Sequence, residues 1–168
     1  MPSKIGGLLA KFGASPHRLC LEIAENSLAG LRENKLAVLR SIQELGIKLV
    51  IKEFGAGQCS IKLLATLEFY RMKLDTSLIH ATWNNPKGIS ILSSIISMGA
   101  HLGVGIVGDG VETEEQSQLL KRLDCTEAQG PFFYGPMSGP GFVAQFGDRM
   151  TLAEWPQAVG QTSDLDAH

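Results

Sequence analysis

The chain has 168 residues, 44% apolar and 19% charged, which suits one globular domain with a sizeable core. A formal net charge of −2 supplies no basic field, so a DNA or RNA polymer is excluded as the expected ligand, while a small anionic one is not. No stretch of about 20 apolar residues is present to insert in a membrane, and Met1-Pro2-Ser3-Lys4-Ile5 does not lead from basic residues into an apolar run. Cys20, Cys59 and Cys125 are odd in number and outside any CxxC or zinc-like spacing, so they read as reduced thiols and predict a cytoplasmic protein.

In chain order, a short helix is predicted over Lys4–Phe12, closed by Gly13, followed by a strand over Leu19–Ile23. Helical spacing at Leu36, Leu39, Ile42 and Leu45 ends at Gly46, and a strand follows from Ile47 to Ile51. A helix over Ser60–Leu67, a strand over Phe69–Leu74 and a longer helix over Pro86–Leu102 come next. Gly103–Val107 reads as a buried strand. After it, Thr113 and Glu115-Gln116 are placed to cap a helix. Thr126–Gln129 is a weaker strand, Gly130–Gly141 is rich in glycine and proline, and Phe142–Phe146 is a final short helix. Residues 1–147 form the expected domain and 148–168 a loose tail. Strands alternating with helices predict βα units and a parallel sheet.

The strand ends carry the chemistry. They present Glu22 and Glu25, Lys52 and Glu53, Lys73 and Asp75, Asp109 and Glu112, and Gln129. Delivery of polar groups strand by strand to the carboxyl-end rim is how barrel enzymes build sites. A lysine among the carboxylates opposes a divalent metal, because an ammonium repels cations and has no lone pair to offer. His80 and His101 stand alone on helical segments and read as packed or exposed side chains. Met72 and Met98 read as core, and Phe132, Phe133 and Tyr134 as packing beneath the last loop, or as part of a partner-binding patch.

These residues resemble those of the EAL domain family, the phosphodiesterases and receptors of the bacterial messenger cyclic di-GMP. Leu21-Glu22-Ile23-Ala24-Glu25 resembles the family's LEITE segment, Ile51–Gly57 its DDFGTG loop, and Met72-Lys73-Leu74-Asp75 its LKID strand. Gly108–Thr113 is similar to AEGVET, and Ala128-Gln129-Gly130 with Pro136 to QGYLFSKP. Five blocks in order, from about Leu19 to about Phe146, carry far more weight than any one alone. The resemblance implies an α/β fold: a partial or modified TIM-like (β/α) barrel of the EAL type. Eight βα units need about 200 residues or more, and the Glu-Ala-Leu signature and the asparagine-bearing strand after it are absent here. The expected barrel therefore lacks its first strands, and its two open edges predict pairing with a second copy or a protein partner.

The resemblance also assigns roles. Glu22 and Glu53 fall at metal-ligand positions, and Lys52 replaces a ligand aspartate. Glu53 is one methylene longer than the aspartate it replaces. Lys73, Asp109 and Glu112 fall at catalytic positions, with Asp109 shorter than the family's glutamate. Gln129 falls where the nucleotide is contacted, and Glu25 where a glutamate steadies the loop after the second strand here. The residues also admit plainer readings: an ion pair of Glu22 with Lys52 or Lys73, a buried Gln129 bonded to backbone, a helix cap or surface acid at Glu25, and Gly55 and Gly57 as turn formers. The departures predict a degenerate, catalytically inactive module acting through protein contacts or oligomerisation, with no cofactor. The alternatives are a phosphodiesterase using Mg²⁺ or Mn²⁺ to release pGpG, and an inactive cyclic di-GMP receptor.

Overall fold

The computed structural model describes residues 2–57 and 61–147. Helix α1 (Pro2–Lys11) precedes five parallel strands, β1 (Cys20–Ala24), β2 (Lys48–Phe54), β3 (Arg71–Leu74), β4 (Gly105–Gly108) and β5 (Glu127–Ala128). Parallel neighbours need crossover connections. These are α2 (Glu25–Leu28) and α3 (Glu33–Glu44), then α4 (Ile61–Leu64), then α5 (Thr76–Thr82) and α6 (Pro86–Leu102), then α7 (Glu114–Arg122); α8 (Gly139–Phe146) follows β5. Strand order is β1-β2-β3-β4-β5, each strand laid beside the previous one. Such an order has no reversal and hence no switch-point crevice, and it brings every carboxyl end to one rim, as in a barrel.

Local chemistry sets the boundaries. Asn85 caps α6 through Lys87 N–H with Pro86 at the first helical position, and Gly103, at φ 68°, ends it in the left-handed conformation. That role keeps Gly103 out of β4, which starts at Gly105 instead of the expected Gly103. Thr113 and Gln116 form the expected capping box of α7. Helix α5 was not anticipated; Asp75 starts it by accepting from Ser77 N–H at 2.8 Å, a turn signal hidden inside the LKID-like block. In the described part of the segment expected as a helix to Leu67, α4 ends at Leu64, β3 begins at Arg71 and not Phe69, and α8 begins at Gly139, capped by Ser138. The expected tail, residues 148–168, lies outside the described residues.

Alternation along the strands separates two faces. Ile51, Met72 and Ile106 stand in register across β2, β3 and β4 and join Leu49, Leu74, Leu92 and Leu120 in the core. Met72 and Leu92 are completely buried, each worth about 1.5–3 kcal/mol of burial. Met98 packs against this core while only partly buried. The neighbouring row runs Glu22, Val50, Arg71, Gly105. Glu22 is exposed, and Arg71 Nε bonds Glu127 Oε1 at 2.8 Å. Closed barrels fill that face with branched apolar side chains; here much of it is ion-paired.

One irregularity shapes the rim. Ile51 pairs with Met72 and Phe54 with Leu74, so three steps along β2 match two along β3. The extra residue is a bulge, and Glu53 adopts φ 60° within it. The bulge delivers two adjacent charged residues, Lys52 and Glu53, at the strand end.

Candidate functional site at the strand carboxyl ends

Each rim acid faces a protein partner. Lys73, on β3 with its side chain only 15% exposed, forms an ion pair with Glu22 on β1. This decides between the two lysines expected for Glu22: the partner is Lys73. Lys52 Nζ lies 2.9 Å from Glu53 Oε1, both side chains nearly half exposed. The hydrogen bond to Glu53, then that carboxylate's charge, and more weakly the charges of Glu22 and Asp109, hold the Lys52 ammonium above its ordinary pKa of 10.5 against some desolvation. In so exposed a setting the pair orients charge more than it stabilises the fold.

Asp109 follows β4 and accepts from Gln129 Nε2 at 2.7 Å. The expectation of a buried, backbone-bonded Gln129 side chain fails, because β5 is only two residues long and leaves Gln129 exposed at its end. Its backbone is nonetheless tied in: Gln129 N–H donates to Gly108 O at 2.8 Å and its carbonyl accepts from Val111 N–H at 3.0 Å. Glu112 reaches His80 Nε2 on α5 at 3.6 Å. His80 is thus exposed but engaged with a rim acid, a contact made visible only by the unanticipated α5. His101 is exposed and meets Ser97 O at 2.7 Å.

Glu25 is no surface acid. At 4% exposure it accepts at Oε2 from Gly55 N–H, 2.8 Å, and Gly57 N–H, 3.0 Å. Gly55 has φ +98°, and a Cβ on Gly57 would stand 3.2 Å from Glu25 Cδ. The two glycines form a turn and at the same time cradle an anion, the protein's own carboxylate. Charge-assisted bonds of this kind are worth about 1.5–3 kcal/mol.

The structure therefore brings Glu22, Lys52, Glu53, Lys73, Asp109 and Gln129 to one rim, places Glu112 with His80, and draws Glu25 down into the loop. Arg71 and Glu127 were missed from the sequence, although Arg71 stands two residues before Lys73 and Glu127 two before Gln129, the spacing that puts strand residues on one face. Among the described residues, no group of three His, Cys, Asp or Glu side chains converges as ligands of a metal ion, and no helix is long and apolar enough to cross a membrane. Phe132, Phe133 and Tyr134 are 41%, 39% and 55% exposed, so they lie outside the core, with Phe132 edge-on to Phe133 at 5.2 Å and Tyr134 edge-on to Phe146 of α8 at 5.1 Å.

Comparison with known proteins agrees with this geometry. A model described as the EAL domain matches residues 1–136, so the match reaches back through α1 instead of starting near Leu19. The cyclic di-GMP phosphodiesterase RocR of Pseudomonas aeruginosa is 31% identical over 143 residues, covering 85% of this chain and 36% of that protein. The crystal structure of the EAL domain of Mycobacterium smegmatis DcpA superposes with a TM-score of 0.80 at 27% identity, covering 88% of this chain and 66% of that one. A structure of the PaMucR phosphodiesterase in complex with c-di-GMP gives a TM-score of 0.78 at 28% identity, covering 83% and 57%. The chain thus spans well under half the length of a curated relative such as RocR. The fold is the TIM-barrel-like α/β fold of these structures, and the chain belongs to the EAL domain family.

Proposed function

We propose that this chain is a non-catalytic EAL module of cyclic di-GMP signalling that acts in the cytoplasm through contact with a protein partner or with a second copy of itself. The observation that carries the reading is the Lys52 ammonium seated on Glu53 at 2.9 Å. By the family resemblance, Lys52 and Glu53 occupy the places of two ligand aspartates. An ammonium cannot ligate, and its charge opposes an incoming Mg²⁺ or Mn²⁺. Such an ion would also compete with Lys73 for Glu22 and with Gln129 for Asp109. The side chains as arranged do not fit a divalent cation, and no hydrolytic step is derived through one. Support for a contact role comes from the exposed apolar side chains of Phe132, Phe133, Tyr134, Met137, Phe142 and Val143, gathered within a dozen residues.

The test is a cyclic di-GMP turnover assay with Mg²⁺ and with Mn²⁺, beside sedimentation of the purified chain over a concentration series. No pGpG is expected, and release of pGpG at rates above a metal-free control overturns the reading. The second reading is a metal-dependent phosphodiesterase, favoured by Lys73, Glu112 and Gln129, which keep the family's residue types on strand ends. In that case Glu22 and Glu53 would bind the ion, and Asp109 would position it or the attacking water. Calorimetric titration with cyclic di-GMP separates a receptor, which binds without turnover, from a module that recognises protein alone.

A further inference from the structure

We infer that Lys52 is the resident cation of this rim: its ammonium is seated on Glu53 in place of an ion, and exchanging it for an oxygen donor opens a divalent-cation site. The inference rests on the reading above that the rim takes no metal.

The argument starts from how the rim is neutralised. Three acids come together there, each with a protein partner: Glu22 has Lys73, Glu53 has Lys52 and Asp109 has Gln129, while Glu112 beside them faces His80. Only two of those partners, the lysines, carry a fixed positive charge. Lys73 projects from β3 with its side chain mostly buried and is committed to Glu22. Lys52 is the more exposed lysine, and the fields of three carboxylates reach it: its bonded partner Glu53, then Glu22 and Asp109.

Hard divalent cations seek several oxygen donors at once. The bulge of β2 places position 52 beside Glu53 at the end of a strand flanked by β1, which carries Glu22, and β3. A carboxylate at position 52 would remove the repelling charge and add oxygen donors at that point without altering the backbone that presents the others.

The measurement is titration of the whole chain with Mn²⁺, following free Mn²⁺ by electron paramagnetic resonance, for the wild type, Lys52→Asp and Lys121→Asp. Lys121 is exposed on α7, so its substitution makes the same change in net charge away from the rim. Lys52→Asp is expected to bind Mn²⁺ saturably and at least about tenfold more tightly than the other two proteins. Circular dichroism verifies the fold. If Lys52→Asp does not fold, Lys52→Gln, which removes the charge with little loss of bulk, is compared in the same way with Lys121→Gln. Equal affinity in wild type and folded variant overturns the inference, as does a variant no better than its Lys121 counterpart. Tight Mn²⁺ binding by the wild type without pGpG formation overturns the resident cation alone, whereas pGpG formation overturns the non-catalytic reading itself.

Discussion

Gly57 donates its backbone N–H to Glu25 Oε2 at 3.0 Å, tying the end of β1 to the loop after β2 across 32 residues of sequence. Gly55 adds a second bond to the same oxygen at 2.8 Å. The loop that follows Lys52 and Glu53 is thus held by a buried charge that belongs to the fold and not to any ligand.

That tie sets the first prediction. Glu25→Ala should lower unfolding free energy by about 3 kcal/mol, because it deletes charge-assisted bonds from a buried position. Glu25→Gln should cost less, since the amide oxygen still accepts. Urea denaturation of both variants measures this. A loss below about 0.5 kcal/mol for Glu25→Ala, the scatter of ordinary surface changes, would mean that the loop holds itself.

Gly130 is the second test. At φ +147° its Cβ would stand 2.3 Å from both N and O of Val111, which are backbone atoms and cannot swing aside. Gly130→Ala should therefore cost about 2–3 kcal/mol through displaced backbone and strain. Loss of amide-exchange protection at Val111, whose N–H donates to Gln129 O, should accompany the drop in melting temperature. Unchanged protection there would contradict the geometry.

Lys52 should titrate late. Its pKa lies above 10.5 in the folded chain because of Glu53, so its pairing contributes to stability below that value and the contribution is lost as pH rises through the raised pKa. NMR titration of the lysine side chains should find Lys52 deprotonating at higher pH in the wild type than in Glu53→Gln. A Lys52 that titrates identically in the two proteins would show that the pair does not persist in solution.

The thiols should separate by burial. Cys125 is buried, and desolvation raises its pKa above the usual 9.0 against its contacts with backbone. The folded state retains this proton longer than the unfolded one, so stability falls as pH rises from 9.0 toward the raised value. In a Cys59→Ser background, a disulfide reagent at pH 8 should modify exposed Cys20 promptly and Cys125 only on unfolding. Prompt modification of both thiols in the folded protein would refute the buried placement.

Much of the fold was legible because its signals are local. Gly46 closed a helix where expected, Thr113 and Gln116 capped α7, and apolar runs marked the five strands. The errors share a cause. Helix α5 starts at an aspartate that also reads as the end of a strand block. Gly103, Tyr70 and Phe69 look like strand residues until their neighbours assign them to a cap and a connection. The exposure of Gln129 and the burial of Glu25 depend on elements far away in sequence, so no local pattern could fix either.

The order of charged residues at strand ends, the lysine at position 52 and the family likeness are properties of the sequence itself, since residue type and spacing alone define them. Which acid meets which base was decided by tertiary structure: Glu22 took Lys73 and left Lys52 to Glu53 because strand register and one bulge, both set by long-range pairing, determine the distances between side chains that are 30 to 51 residues apart in the chain or directly adjacent in it.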